Sequence, residues 1–138
     1  MRILILCTGN SCRSQMAEGI MRNLDSKMEV FSAGTHPEKQ VNKYAVKVMS
    51  EIGIDISQHY PKLVDDFVSQ SFDYVITVCD NAKEACPVFI GKVGKREHIG
   101  FEDPADATGT DDEKLIVYRK IRDQIKNKFT KFYKEEMC

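Results

Sequence analysis

The chain predicts a single α/β domain of three layers, a four-stranded parallel sheet with helices on both faces. Short apolar runs alternate with stretches of helical periodicity through all 138 residues. No linker, internal repeat or low-complexity tract separates them, and a chain of this length buries near two-thirds of its unfolded surface, enough for one core. Alternation of this kind implies parallel strands with helical crossovers. Ligands of such sheets lie beyond the C-terminal strand ends.

Taken in order, Arg2–Cys7 is a buried strand, an apolar run stopped by Thr8-Gly9-Asn10. From Gln15 to Leu24, the residues Met16, Ala17, Ile20, Met21 and Leu24 recur with helical spacing. Glu29–Gly34 reads as the second strand. Val41, Ala45, Val48, Met49 and Ile52 then line one helix face, and Gly53 stands where a C-cap glycine belongs. A short helix is expected over Leu63–Val68. Phe72–Val78, rich in β-branched and aromatic residues, is the best central strand. Arg96–Phe101 is predicted as the last strand. Thr110-Asp111-Asp112-Glu113 has capping-box form and opens the final helix, whose stripe is Leu115, Tyr118, Ile121, Ile125, Phe129 and Phe132.

Composition removes several classes of function. Basic and acidic residues nearly balance at a net charge of −1, unlike the strong basic bias of a nucleic-acid binder. No apolar run is long enough to span a membrane, and the N-terminus lacks the shape of a signal peptide, so a cytoplasmic protein is expected. A monomer is expected. The five cysteines, at 7, 12, 79, 86 and 138, are odd in number. In a reducing compartment they point to catalysis or redox exchange rather than structural disulfides. Their spacing is not that of zinc ligands and His36, His59 and His98 are scattered, so no metal is expected. His59 and His98 read as loop or core histidines.

The first strand runs into Cys7-Thr8-Gly9-Asn10-Ser11-Cys12-Arg13-Ser14 and then a helix N-terminus. The first N–H groups of a helix lack intrahelical partners and carry partial positive charge, so such a loop can wrap a tetrahedral oxyanion. A thiol in that cradle is expected to ionise easily. Arg13 opposes the helix dipole unless an anion compensates, and its fork suits two oxygens of that anion. Ser14 reads equally as a donor to the Cys7 sulfur and as an N-cap. Cys7 and Cys79 both end strands, hence both belong to the ligand-binding rim.

The segment Cys7–Gly19 resembles the opening of thioredoxin-coupled arsenate reductases, which share the fold of low-molecular-weight protein-tyrosine phosphatases, a flavodoxin-like arrangement. The likeness continues through Ser32-Ala33-Gly34, Asp55-Ile56-Ser57, Val75–Cys79, Cys86-Pro87 and Gly100–Ala105. It implies a three-thiol relay. Cys7 would attack arsenate held by the loop amides and Arg13, and Asp103 would pass a proton to the departing oxygen. Cys79 would attack Cys7, releasing arsenite and leaving a Cys7–Cys79 disulfide. Cys86 would then carry the oxidation outward as a Cys79–Cys86 disulfide for thioredoxin to reduce.

Arsenic(V) can accept the electron pair of its bond to sulfur, whereas a phosphoryl group on a thiol is only hydrolysed, so reduction needs the extra thiols. Were Asn81–Cys86 helical, Cys79 and Cys86 would lie about 10 Å apart along the axis. A disulfide needs Cα atoms within roughly 7 Å, so this polar segment would unwind on oxidation. For Asp103 the residue pattern alone offers a capping role in its Asp-Pro turn. Cys12 is expected to point away from substrate, and Cys138 to be inert.

Some relatives hold potassium behind the loop through positions matching Asn10, Glu18, Ser32 and an acidic residue. Lys62 stands at the last of these, and its ammonium could replace the ion and pair with Glu18, or lie in solvent. Two other functions fit parts of the pattern. A tyrosine phosphatase would use Cys7, Arg13 and Asp103 alone, but would carry aromatic residues where Ala105 and Asp106 follow the Asp-Pro pair. A non-catalytic redox sensor would use Cys79 and Cys86 and would have no need of Arg13.

Overall fold

The computed structural model describes residues 1–80 and 88–137. Its sheet has four parallel strands, β1 (Arg2–Cys7), β2 (Glu29–Gly34), β3 (Phe72–Thr77) and β4 (Val93–His98), in the order β2-β1-β3-β4. β1 is central because it is apolar on both faces: Ile3, Leu4, Ile5 and Leu6 have no exposed surface. Burying each such side chain contributes about 1.5–3 kcal/mol. The α-helices among the described residues are α1 (Arg13–Leu24), α2 (Lys43–Ser50) and α3 (Asp111–Glu136). Among the described residues no helix is long and apolar enough to cross a membrane.

Register sorts the two faces. Val30 and Tyr74 align with Ile3, and Tyr74 meets Phe132 of α3 edge-on at 5.3 Å. Phe31 aligns with Leu4 on the opposite face and packs on Phe67, which follows the 3-10 turn Val64–Asp66. α1 and α2 both pack against α3. A residue's parity along its strand thus decides which layer it joins.

The end signals behave as expected. Thr110 Oγ1 accepts from Glu113 N–H at 3.2 Å, Glu113 returns the bond to Thr110 N–H, and Gly53 takes φ +80 beyond α2. α2 begins at Lys43, later than its apolar stripe, because Asn42 caps it by accepting from the N–H groups of Tyr44 and Ala45. Leu63–Val68 holds only the 3-10 turn. The last strand differs from expectation, lying three residues earlier than Arg96–Phe101. β4 is an edge strand whose Gly94, Lys95 and Arg96 are exposed and whose Glu97 is half-buried, so it lacks the apolar signature of a strand. Ile99 and Phe101 belong instead to the loop beyond it, and Phe101 N–H donates to Val78 O at 3.1 Å.

Strand order changes direction at β1, whose chain leaves first toward β2 and later returns to β3 on the other side. The crevice between the C-terminal ends of β1 and β3 is therefore the expected site. It receives Cys7 from β1 and Cys79 just after β3.

Candidate active site

The loop after β1 is held by its carbonyls. Those of Cys7, Thr8, Gly9 and Ser11 accept from the N–H groups of Thr35, His36, Glu38 and Asn42 at 2.8–3.2 Å, and that of Asn10 accepts from Gln15 Nε2 at 3.1 Å. With five successive carbonyls already engaged, the loop N–H groups are the backbone donors left for an oxyanion. Gly34 permits this crossing, since a Cβ there would collide with the Thr8 carbonyl oxygen. Asn10 sits at φ 52, the left-handed region, and its side chain secures it there. Asn10 Nδ2 donates to Ser14 Oγ (2.8 Å) and Ser32 Oγ (3.0 Å), while its Oδ1 accepts from Lys62 N–H (2.9 Å). The hydroxyl of Ser14 thus faces Asn10 behind the loop, and α1 has no side-chain N-cap bond. This corrects the N-cap role read from the sequence, since Cys12 stands at the cap position and Ser14 lies inside the first turn.

In front of the loop a cavity of about 640 Å³ is lined by Thr8, Arg13, Cys79, Phe101 and Asp103 among others. The Cys7 and Cys79 thiols are in hydrogen-bonding contact, and Thr8 Oγ1 lies 3.3 Å from Cys79 Sγ. Cys7, Cys12 and Cys79 are all buried and unbridged. Arg13 enters the cavity from the first turn of α1. Its Nη1 donates to Phe101 O at 3.0 Å and its Nη2 lies 3.4 Å from Asp103 Oδ2. Arg13 Nε is buried and has no hydrogen-bond partner among the described residues. A buried guanidinium N–H left over in this way is costly unless a ligand takes it. Asp103 also accepts from Ala105 N–H at 3.0 Å, so it is both a cap and a wall of the cavity.

The expectation that Cys7 ionises easily is overturned. Its hydrogen bond with Cys79 and then its burial push its pKa up, against the opposing pull of Arg13 and the Thr8 N–H. Two thiols in contact resist a second negative charge, and the sequence shows neither thiol the other. Cys12 points away from the cavity, its sulfur 3.8 Å from Tyr118 Oη, and burial raises its pKa to about 11. Cys86, Cys138 and the segment expected to unwind lie outside the described residues.

Behind the loop Ser32 Oγ donates to Glu18 Oε1 at 2.8 Å. The buried Glu18 carboxylate also meets Arg22 Nε (3.2 Å), His59 Nδ1 (3.4 Å) and, more loosely, Lys62 Nζ (3.9 Å). Gln15, not singled out in the sequence, and His59, read there as a loop or core histidine, join this cluster. Gln15 Nε2 lies 3.1 Å from Asn10 O, Asn10 Oδ1 and Tyr60 O, and its Oε1 lies 3.0 Å from His59 Nδ1. A polar residue inside the apolar stripe of α1 was the available signal. Among the described residues no group of His, Cys, Asp or Glu is placed to hold a metal ion.

Comparison with known proteins follows the same line. A family model described as low molecular weight phosphotyrosine protein phosphatase matches residues 2–137. A relative from Shouchella clausii (strain KSM-K16), named arsenate reductase, is 46% identical over 131 residues, 94% of this chain and 93% of its own. A solved structure described as an arsenate reductase in the phosphate binding state has a TM-score of 0.80 and 31% identity, covering 97% of each chain. The thioredoxin-dependent arsenate reductase of Corynebacterium glutamicum has a TM-score of 0.68 and 26% identity, covering 97% of this chain and 60% of its own.

Proposed function

The chain belongs to the low molecular weight phosphotyrosine protein phosphatase family, and we propose that within it the protein is an arsenate reductase. The contact between the Cys7 and Cys79 thiols beside the unpartnered Arg13 Nε carries this reading. Hydrolysis at Cys7 needs no second thiol, whereas reduction needs one within reach of the first.

Loop N–H groups and Arg13 hold three arsenate oxygens. Cys7 thiolate attacks arsenic, an arsenic-bound hydroxyl takes a proton from Asp103 and leaves as water, and a sulfur–arsenic(V) bond is made. Cys79 thiolate then attacks Cys7 Sγ. The sulfur–arsenic bond breaks with its electron pair going to arsenic, so arsenite leaves and a Cys7–Cys79 disulfide remains. Cys79 and burial raise the pKa of Cys7, so the first attack draws on the opposing pull of Arg13 and the Thr8 N–H. Cys86 thiolate next attacks Cys79, freeing Cys7, and thioredoxin reduces the Cys79–Cys86 disulfide. The thioredoxin-dependent neighbour supports the choice of reductant. A relay of free thiols suits the reducing cytoplasm, and the single site suits a monomer.

Behind the loop the residues do not fit a potassium ion. Asn10 Oδ1 already accepts from Lys62 N–H, and Glu18 is met by Ser32, Arg22 and the Lys62 ammonium. Lys62 stands in for the cation.

The test couples NADPH oxidation to thioredoxin reductase, thioredoxin and arsenate, with Cys7→Ser, Cys79→Ser and Cys86→Ser beside the parent chain. All three variants lose turnover if the relay operates. Repeated turnover by Cys86→Ser would refute it.

A further inference from the structure

The cavity that takes the oxyanion has an acidic mouth. Its walls carry one cation, Arg13, and four carboxylates, Asp80, Glu102, Asp103 and Asp106. Two of the four are engaged: Asp103 with Arg13 and the Ala105 N–H, and Asp80 with His98 Nε2 at 3.1 Å. Glu102 and Asp106 are exposed and pair with no cation among the described residues. Lys128 lies at the Phe101 ring, 5.1 Å from its centroid.

We propose that Glu102 and Asp106 are specificity determinants that admit a bare oxyanion and turn away phosphate monoesters. This rests on the arsenate reductase reading and deepens it. A free tetrahedral oxyanion fits against the loop N–H groups and Arg13, leaving solvent between itself and the two carboxylates. In a monoester the organic group has to leave through the mouth. An apolar ring there strips solvent from Glu102 and Asp106 without offering them a donor, which charged groups resist strongly. A monoester is also largely doubly charged at neutral pH, whereas the bare oxyanion can enter with a proton more. The same pocket geometry thus serves a small inorganic substrate while the family's esters are disfavoured at the rim.

Binding is measured by titration calorimetry with inorganic phosphate and with phenylphosphonate, a monoester mimic that carries an aryl group and cannot be hydrolysed. The proteins are the full chain, Glu102→Gln, Asp106→Asn and the double variant. Neutralising both carboxylates shifts the ratio of the two affinities about fivefold toward phenylphosphonate, and each single change shifts it part of the way. A ratio that stays put, or phenylphosphonate binding that remains undetectable in the double variant, overturns the proposal. Neither measurement requires turnover. Failure of arsenate reduction in the coupled assay would therefore strike the functional reading and leave the rim separately judged.

Discussion

Behind the Cys7–Ser14 loop, Asn10, Ser14, Gln15, Ser32 and Glu18 take up one another's donors and acceptors. In front of it, Arg13 Nε is the one buried side-chain nitrogen or oxygen left without a partner among the described residues. The two sides are built from the same short stretch of chain, yet one is saturated and the other is left wanting. Saturation fixes the cradle before any ligand arrives, and the unmet donor in front is what a ligand can satisfy. That division is electrostatic preorganisation, with the ordering cost met at folding rather than at binding.

Changes on the two sides should therefore differ in kind. The largest effect is expected in front, where Arg13→Ala should lower kcat/KM for arsenate by about a thousandfold. Its stability in urea should fall by only about 1–2 kcal/mol, since relief of the unsatisfied Nε offsets part of the loss of the Phe101 O bond and the Asp103 pair. A parent-like kcat/KM would break the comparison. Behind the loop, Glu18→Ala leaves Arg22 and Lys62 facing no carboxylate, and should cost about 3 kcal/mol in urea unfolding. A cost below about 1 kcal/mol would mean that the rear cluster does not hold the loop.

A smaller effect tests the front alone. Cys79→Ala removes the first cause of the raised Cys7 pKa, so the pH profile of Cys7 alkylation, followed by peptide mass spectrometry, should move to lower pH. A shift of about one unit, equal to tenfold in rate at a fixed pH below the midpoint, is expected. A profile that stays or moves upward would show that burial, not Cys79, governs the thiol. The smallest effect is expected from potassium. Exchanging sodium for potassium should leave the melting temperature unchanged within about 1 °C, because a site already filled by Lys62 gains nothing from the ion. A clear rise in potassium would remove Lys62 from that role.

The sequence exposed the front far better than the back. A strand end, a loop and a helix start are contiguous, so Cys7, Arg13 and the cradle could be read from one short segment. Cys79 was legible as a strand end at the same rim. Its hydrogen bond to Cys7 was not, because that contact spans β1 and β3 and reverses the thiol's expected ionisation. The partners of Gln15 and His59 stayed hidden for a related reason: they come from residues 10 and 60 and from Glu18, brought together only by the fold. β4 shows the opposite limit. Its charged, exposed residues pair through backbone bonds to β3, and an edge strand held in that way carries little hydrophobic signature to read.

The placing of Tyr118 has a practical side. The α3 helix rests its early turns on the loop through Tyr118 and Cys12, then continues for 18 more residues to Glu136, about 27 Å of helix. Anyone fixing the protein to an electrode or bead could tether it at that distal tip, leaving the chemistry at the other end facing solution. Attachment ahead of Thr110 would pull instead on the turns that rest against the loop.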